Sequence, residues 1–334
     1  MLFGCSPART DTPIGRIAFG SCAKQDRPQP IWDAVIAGDP DLFLFIGDNI
    51  YADTENPAVM QAKYAQLNAM PGFQRLRRTC PILATWDDHD YGVNDGGREY
   101  PMREKSQRLF LESFNVPRND PRWHRPGVYS AHLFGPPGNR VQIILLDTRY
   151  FRSPLVRRTV PVPAGGPYAP NPDPSATMLG PEQWTWLEQQ LRQSADVRIL
   201  ASSTQVLGED HTYEKWGNMP HELARLIDLI RRCRAENIVF ISGDMHSAEL
   251  TRLDEPGHAP LYELTSSGMN CAIGKDFHFA NRRRVGPVVQ TDNFAMIHID
   301  WVAAPPRITL EIRDVNNAIQ LQHVVTIDIA GVSQ

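Results

Sequence analysis

The sequence predicts an α/β fold in which two packed sheets are flanked by helices, and three observations carry that reading. The chain has 334 residues, 42% hydrophobic and 22% charged, which is ordinary globular usage with room for a large core. Short apolar runs recur along it, several of them continuous rather than alternating, as strands covered on both faces require. Helical segments separate the earlier runs, and the C-terminal part is richer in strands.

In chain order, residues 17–19 read as a strand and 30–36 as a short amphipathic helix. Residues 42–46 form a second strand, followed by a helix over 58–67. A third strand at 82–85 precedes a helix over 103–114, and 141–146 is again apolar. The helix over 180–193 has Pro181 near its first turn and carries Trp184, Leu187 and Leu191 at helical spacing. Of its two tryptophans, Trp184 is the expected core anchor, because residues two apart do not share a helical face. Strands follow at 199–202 and 238–241, separated by a helix over 220–235 whose stripe is Leu223, Leu226, Ile227 and Ile230. Strands at 261–264, 295–299 and 308–312 complete the set. The Pro/Gly-rich segment 160–177 is expected to be a long surface loop rather than a linker, because chemical motifs on both sides of it must converge. The expected boundaries are an N-terminal tail at 1–14 and one domain at 15–330.

Composition excludes several classes. The net charge of −4, from 34 Lys and Arg against 38 Asp and Glu, gives no reason to expect nucleic acid as a specific partner. No run of about 18 apolar residues exists, so no transmembrane segment is expected. Cys5, Cys22, Cys80, Cys233 and Cys271 are odd in number and widely spread, without Cys-x-x-Cys, which argues against a disulfide framework and a zinc ribbon. Met1-Leu2-Phe3-Gly4-Cys5 resembles the end of a lipoprotein leader but lacks the basic and apolar regions of one. A cytoplasmic location is expected for the chain as given, and a periplasmic or secreted one if a leader was lost.

The chemistry concentrates where apolar runs end. Residues 42–46 run into Gly47-Asp48-Asn49-Ile50-Tyr51-Ala52-Asp53, which puts Asp48 at the carboxyl end of a buried strand, where open α/β sheets bind ligands. Residues 82–85 run into Trp86-Asp87-Asp88-His89-Asp90. Four carboxyl and imidazole groups packed so closely beside an apolar strand need a compensating cation. Residues 238–241 run into Ser242-Gly243-Asp244-Met245-His246, a hard oxygen and an imidazole together, suited to iron, zinc or manganese. Phe19-Gly20-Ser21-Cys22 offers a thiol in the same way.

This order of motifs resembles the PhoD-like alkaline phosphatase D family, a branch of the calcineurin-like metallophosphoesterases. Leu146-Asp147-Thr148-Arg149-Tyr150, Leu179-Gly180-Pro181-Glu182-Gln183-Trp184 and Thr265-Ser266-Ser267-Gly268 support the match. The resemblance implies a four-layer αββα sandwich, metallophosphoesterase-like, with a metal centre at the sheet edge. It implies two or more metal ions, Fe3+ with Ca2+, or else Zn2+ or Mn2+. Asp48 would be shared between metals, Cys22 and Tyr51 would join Asp244 on the iron-like ion, and Asp88 and His246 would serve the second. His89 falls at the family's catalytic imidazole, and Asn94 would complete a ligand or phosphate contact. Some members carry Asp directly before the Cys. Here Ser21 stands there, so iron is expected to bind more weakly or to be replaced.

The implied reaction is hydrolysis of a small-molecule phosphate ester, mono- or diester, by hydroxide generated at the metals. His89 would protonate the leaving oxygen, and Asp90 or Asp87 would orient its ring. Arg149 would contact phosphate or, alternatively, serve as an ion-pair partner. Phosphotriesters and phospholipid-like diesters are the next substrates considered. A non-catalytic phosphate-binding module and a hydrolase using Cys22 as nucleophile are the readings from other classes. Glu209 and His211 are considered for the rim, and Arg282-Arg283-Arg284 reads as a solvated basic loop.

Overall fold

Phe43 and Phe45 alternate with Leu42, Leu44 and Ile46 along one strand, and all five are buried. Such a strand needs an apolar layer on each face. The computed structural model describes residues 12–162, 165–275, 277 and 279–326. The Met1–Cys5 motif, most of the 1–14 tail, His278 and the end of the expected 15–330 domain lie outside these.

The elements in order are β1 (Arg16–Gly20), α1 (Ile31–Ala37), β2 (Leu42–Ile46), α2 (Pro57–Ala69), α3 (Pro71–Thr79), β3 (Ile82–Thr85), α4 (Asp88–Tyr91) and α5 (Arg103–Ser113). Then come β4 (Ser130–Phe134), β5 (Val141–Leu145), β6 (Val156–Arg157), β7 (Tyr168–Ala169), α6 (Gly180–Leu191), β8 (Val197–Ala201) and α7 (Pro220–Arg232). The last are β9 (Ile238–Ser242), β10 (Ala248–Leu253), β11 (Leu261–Ser266), β12 (Arg284–Val289), β13 (Asn293–Asp300), β14 (Arg307–Asp314) and β15 (Ile319–Thr326).

One sheet has the order β15-β14-β13-β1-β2-β3 and the other β12-β10-β11-β9-β8-β5-β4. Three apolar cores give four layers. Ile17, Leu44, Ile143, Ile199, Ile241 and Leu310 belong to the core between the sheets. Trp32, Phe43, Phe45 and Phe73 pack the first sheet against its helices, with Trp32 edge-on to both phenylalanines of β2. Ile144, Leu200, Phe240, Trp184 and Leu226 do the same for the second sheet under α6 and α7. Trp184 is buried and Trp186 half-buried, as their spacing predicts. The result is the αββα sandwich.

The fold adds elements that the apolar pattern does not display. β4, β12 and β15 are edge strands, and β10 carries Glu249 and Arg252, so none offers a continuous apolar run. Segment 160–177 contains β7, paired with β6, and its Tyr168 is buried. No helix among the described residues is long and apolar enough to cross a membrane.

Candidate metal centre

β1, β2 and β3 run parallel in the first sheet, and β5, β8, β9 and β11 run parallel in the second. Their carboxyl ends collect the motifs at one edge of the sandwich. β2 leaves through Gly47 at φ +113°, where a Cβ would lie 2.6 Å from that of Asp87. Only glycine lets the exits of β2 and β3 approach so closely. Cys22, Asp48, Asp53, Asp95, Asp244 and His246 all have left-handed backbone, with φ between 44° and 68°. Each such non-glycine residue costs on the order of 1 kcal/mol and persists because its surroundings over-determine it.

The ligand-type atoms form overlapping groups, each within 4.8 Å: Cys22, Asp48 and His246; Asp48, Asp88 and His89; Asp87, Asp88 and Asp244; and Asp88, Asp95 and Glu214. Asp48 belongs to two groups and Asp88 to three. The Cys22 thiol is 3.3 Å from Asp48 Oδ2 and accepts the Ser267 hydroxyl at 3.0 Å. Tyr51 Oη lies 3.4 Å from His246 Nε2. His246 Nδ1 lies 2.6 Å from the Cys271 carbonyl, which fixes Nε2 as the nitrogen turned to the cluster.

This grouping differs from the expected one. His246 lies with Cys22 and Tyr51, and Asp244 lies with Asp87 and Asp88. The cause is the loop after β11: Ser267 accepts the His246 backbone N–H at 2.7 Å and Cys271 holds the ring, drawing His246 to the β1 side.

Burial dominates the electrostatics. It pushes Cys22, Asp48, Tyr51, Asp90 and Asp244 well above their ordinary ranges, with neighbouring acidic groups adding to the effect. It takes Asp87 up to about 7, although Arg149 opposes it. Asp88 is held below the carboxylate range, because Arg149, His89 and the Asp95 N–H overcome burial. Burial also opposes charge on His89, but Asp48, Asp88 and Asp53 outweigh it and raise the ring to about 11. Asp48 Oδ1 is buried without a hydrogen-bond partner among the described residues. A carboxylate, a thiol and an imidazole within 4.8 Å of one another, with a phenol beside the imidazole and an unpartnered oxygen on the carboxylate, fit a metal ion's donor set.

The remaining site residues brace these. Asp90 accepts the backbone N–H of Asp48 at 3.2 Å, that of Asp87 at 2.6 Å and the Asn49 amide. It therefore holds backbone rather than the His89 ring. Asp53 takes that place, its Oδ1 2.7 Å from His89 Nδ1. Arg149 does not reach the rim: it is fully buried, donates to Asp87 and Glu214 at 2.6 Å each, and is spent on them. Asn94 is exposed and donates to Asp95 at 2.7 Å, while Asp95 N–H donates to Asp88 Oδ2 at 2.7 Å. Sequence reasoning assigned no role to Asp53, Asp95, Glu214, Ser267 or Cys271. Asp53 carried a signal as the last residue of the Gly47–Asp53 run, and Ser267 as part of the Thr265–Gly268 motif; the others carried none.

Against this geometry the comparisons are specific. The model of the PhoD-like phosphatase family matches residues 17–276. The chain belongs to the PhoD-like phosphatase family. Every PhoD-like site residue above, from Cys22 to Cys271, lies in the matched segment. Alkaline phosphatase D of Bacillus subtilis (strain 168) is 23% identical over 281 residues, covering 73% of this chain and 48% of that protein. The chain thus spans about half the length of the curated relative it matches. A solved structure described as "Structure of PhoD" superposes with a TM-score of 0.74 at 18% identity, covering 96% of this chain and 70% of that one. The likeness is one of PhoD-like fold.

Other polar features lie apart from this centre. Arg282, Arg283 and Arg284 pair with Glu209, Asp210 and Glu249. A groove of about 600 Å³ beside α7, lined by Leu207, Leu223, Ile227 and Leu253, shares no residue with the cluster. His211 is buried, with Nε2 2.9 Å from Gln205 Oε1. Burial, aided by Lys215, lowers it to about 3. Its neutral form is therefore built into the fold. The stability this contributes is complete above pH about 6.5 and is lost as pH falls towards 3, at up to about 1.4 kcal/mol per pH unit. Urea unfolding of metal-free protein between pH 6 and 4 is expected to fall less steeply in His211→Gln than in the parent. Parallel slopes would refute the assignment.

Proposed function

We propose that the chain hydrolyses small-molecule phosphate esters, mono- or diesters, using two or more metal ions at this edge. Fe3+ with Ca2+ is the first choice, and Zn2+ or Mn2+ the alternative. The observation that carries the reading is Asp48: shared by two ligand groups, buried, and with Oδ1 unpartnered. Cys22, Asp48 and His246, with Tyr51 beside them, would hold one ion, and Asp48 and Asp88 a second, with Asp87 and Asp244 near. Bound metals would neutralise the phosphoryl oxygens and lower the pKa of attacking water.

The chain's own residues do the rest. His89 is only 17% exposed, and its Nδ1 is committed to Asp53. The opposite nitrogen, Nε2, then serves the leaving oxygen as proton donor. Asp53 fixes the tautomer and orientation of the ring, so Asp53→Asn should lower turnover about 10- to 100-fold with metal content unchanged. Equal turnover would remove Asp53 from the mechanism. Cys22 is a poor candidate nucleophile, because it is fully buried and burial raises its thiol.

The test is a panel of p-nitrophenyl mono-, di- and triesters, with and without chelator. Chelator-sensitive hydrolysis of mono- or diester is expected. Chelator-resistant activity that thiol alkylation abolishes would instead favour Cys22. A visible charge-transfer band in iron-loaded protein, lost in Tyr51→Phe, is expected if the phenol binds Fe3+.

A further inference from the structure

We propose that Lys24 binds the substrate's phosphoryl group and biases the site towards dianionic phosphomonoesters, an inference that rests on the phosphoesterase reading above. Among the described residues, three cationic groups packed in or beside the metal centre are already spent. Arg149 pairs with Asp87 and Glu214, Arg152 with Glu214, and the raised imidazole of His89 with Asp53. Lys24 is half-buried and forms no ion pair with a carboxylate among the described residues. Its ammonium instead lies over the Tyr51 ring, 4.6 Å from the centroid. The same ring packs against His89 at 4.3 Å, and its hydroxyl reaches His246 Nε2.

The placement is built from the backbone. Lys24 N–H donates to Asn270 Oδ1 at 2.7 Å, and its carbonyl accepts from Asn270 Nδ2 at 2.9 Å and Gln29 Nε2 at 3.0 Å. The next residue, Gln25, accepts the Tyr51 backbone N–H at 2.8 Å. The main chain of Lys24 is therefore clamped to Asn270 and Gln29, and its neighbour Gln25 ties the same segment to Tyr51, while the Lys24 side chain keeps its three donors. An ammonium on a flexible stem suits the non-bridging oxygens of a phosphoryl group. A cation resting on an aromatic face gives up little when it moves to an anion. A monoester dianion carries one more charge for it to meet than a diester monoanion does.

The test uses the metal-loaded chain. Lys24→Met is expected to raise KM for p-nitrophenyl phosphate about tenfold with kcat within about twofold. KM for bis(p-nitrophenyl) phosphate should rise far less, and Lys24→Arg should recover most of the monoester effect. Bound metal, measured in each variant, should be unchanged. An equal rise for both esters, no rise, or loss of metal would overturn the assignment. Calorimetric titration with inorganic phosphate separates this proposal from the one beneath it. If the parent hydrolysed neither ester, the phosphoesterase reading would fail, but a tenfold weaker phosphate affinity in Lys24→Met would still support an anion-binding Lys24. Equal affinity would sink it.

Discussion

His89→Ala is expected to lower turnover about 10²- to 10⁴-fold, the usual contribution of a positioned general acid. The ring is in place before substrate arrives: Asp53 holds Nδ1 at 2.7 Å, and the Tyr51 ring lies 4.3 Å away. His89 also belongs to a ligand group with Asp48 and Asp88, so the same variant separates two roles. With a proton-donor role, the variant keeps its metals, because Cys22, Asp48, Asp88, Asp244 and His246 remain. A leaving group of low pKa, which needs no proton, should then lose much less rate than a poor one. Loss of metal together with rate, regardless of leaving group, would make His89 a ligand instead.

Arg149→Met is expected to destabilise the fold by about 3–5 kcal/mol, the range for removing one partner of a buried charge network. Arg149 is fully buried between Asp87 and Glu214, both nearly inaccessible themselves. Glu214 keeps Arg152, whose Nε lies 3.1 Å from Oε1, but Asp87 Oδ2 lacks a hydrogen-bond partner, and among the described residues Asp87 has no second guanidinium to replace that of Arg149. Arg149→Lys should recover only part of the loss, because one ammonium cannot reproduce a planar fork shared by two carboxylates. Urea unfolding checks both variants. A change below about 1 kcal/mol in Arg149→Met would mean that water or protonation relaxes the network and that Arg149 does not hold it together.

The sequence made the three carboxylate exits legible for one physical reason. A strand buried on both faces reads as an apolar run, and Asp48, Asp88 and Asp244 each follow such a run closely. Periodicity could not say how two residues leaving the same strand divide between ions. Asp244 and His246 are separated by one residue, and hydrogen bonds from Ser267 and Cys271, far along the chain, decide where the imidazole goes. The His89 partner was hidden similarly: Asp53 is 36 residues away, whereas Asp87 and Asp90 are neighbours in sequence. Those neighbours are consumed within the turn, Asp90 by the N–H groups of Asp48 and Asp87, and Asp87 by Arg149. Glu214 sits in a polar loop with no apolar frame, where nothing local distinguishes a buried network member from a solvated acid. For Arg149, a position just past an apolar strand was compatible with phosphate contact or an ion pair, and complete burial selects the ion pair.

A metal centre organised around Asp48 at the acidic edge is tested most directly by metal stoichiometry of the purified chain beside Asp48→Asn. At least two metal ions per parent chain are expected, with affinity about 10²-fold or more lower in the variant, since Asp48 serves two groups and even outer supports of a metal site cost 10- to 100-fold. The metals should raise the unfolding midpoint of the parent and barely move that of the variant. Without metal, the isosteric amide should be at least as stable as the parent, because it removes a buried carboxyl that burial already drives towards its neutral form. A parent chain that binds no metal, or an Asp48→Asn chain that binds as much metal as tightly as the parent, would contradict the account.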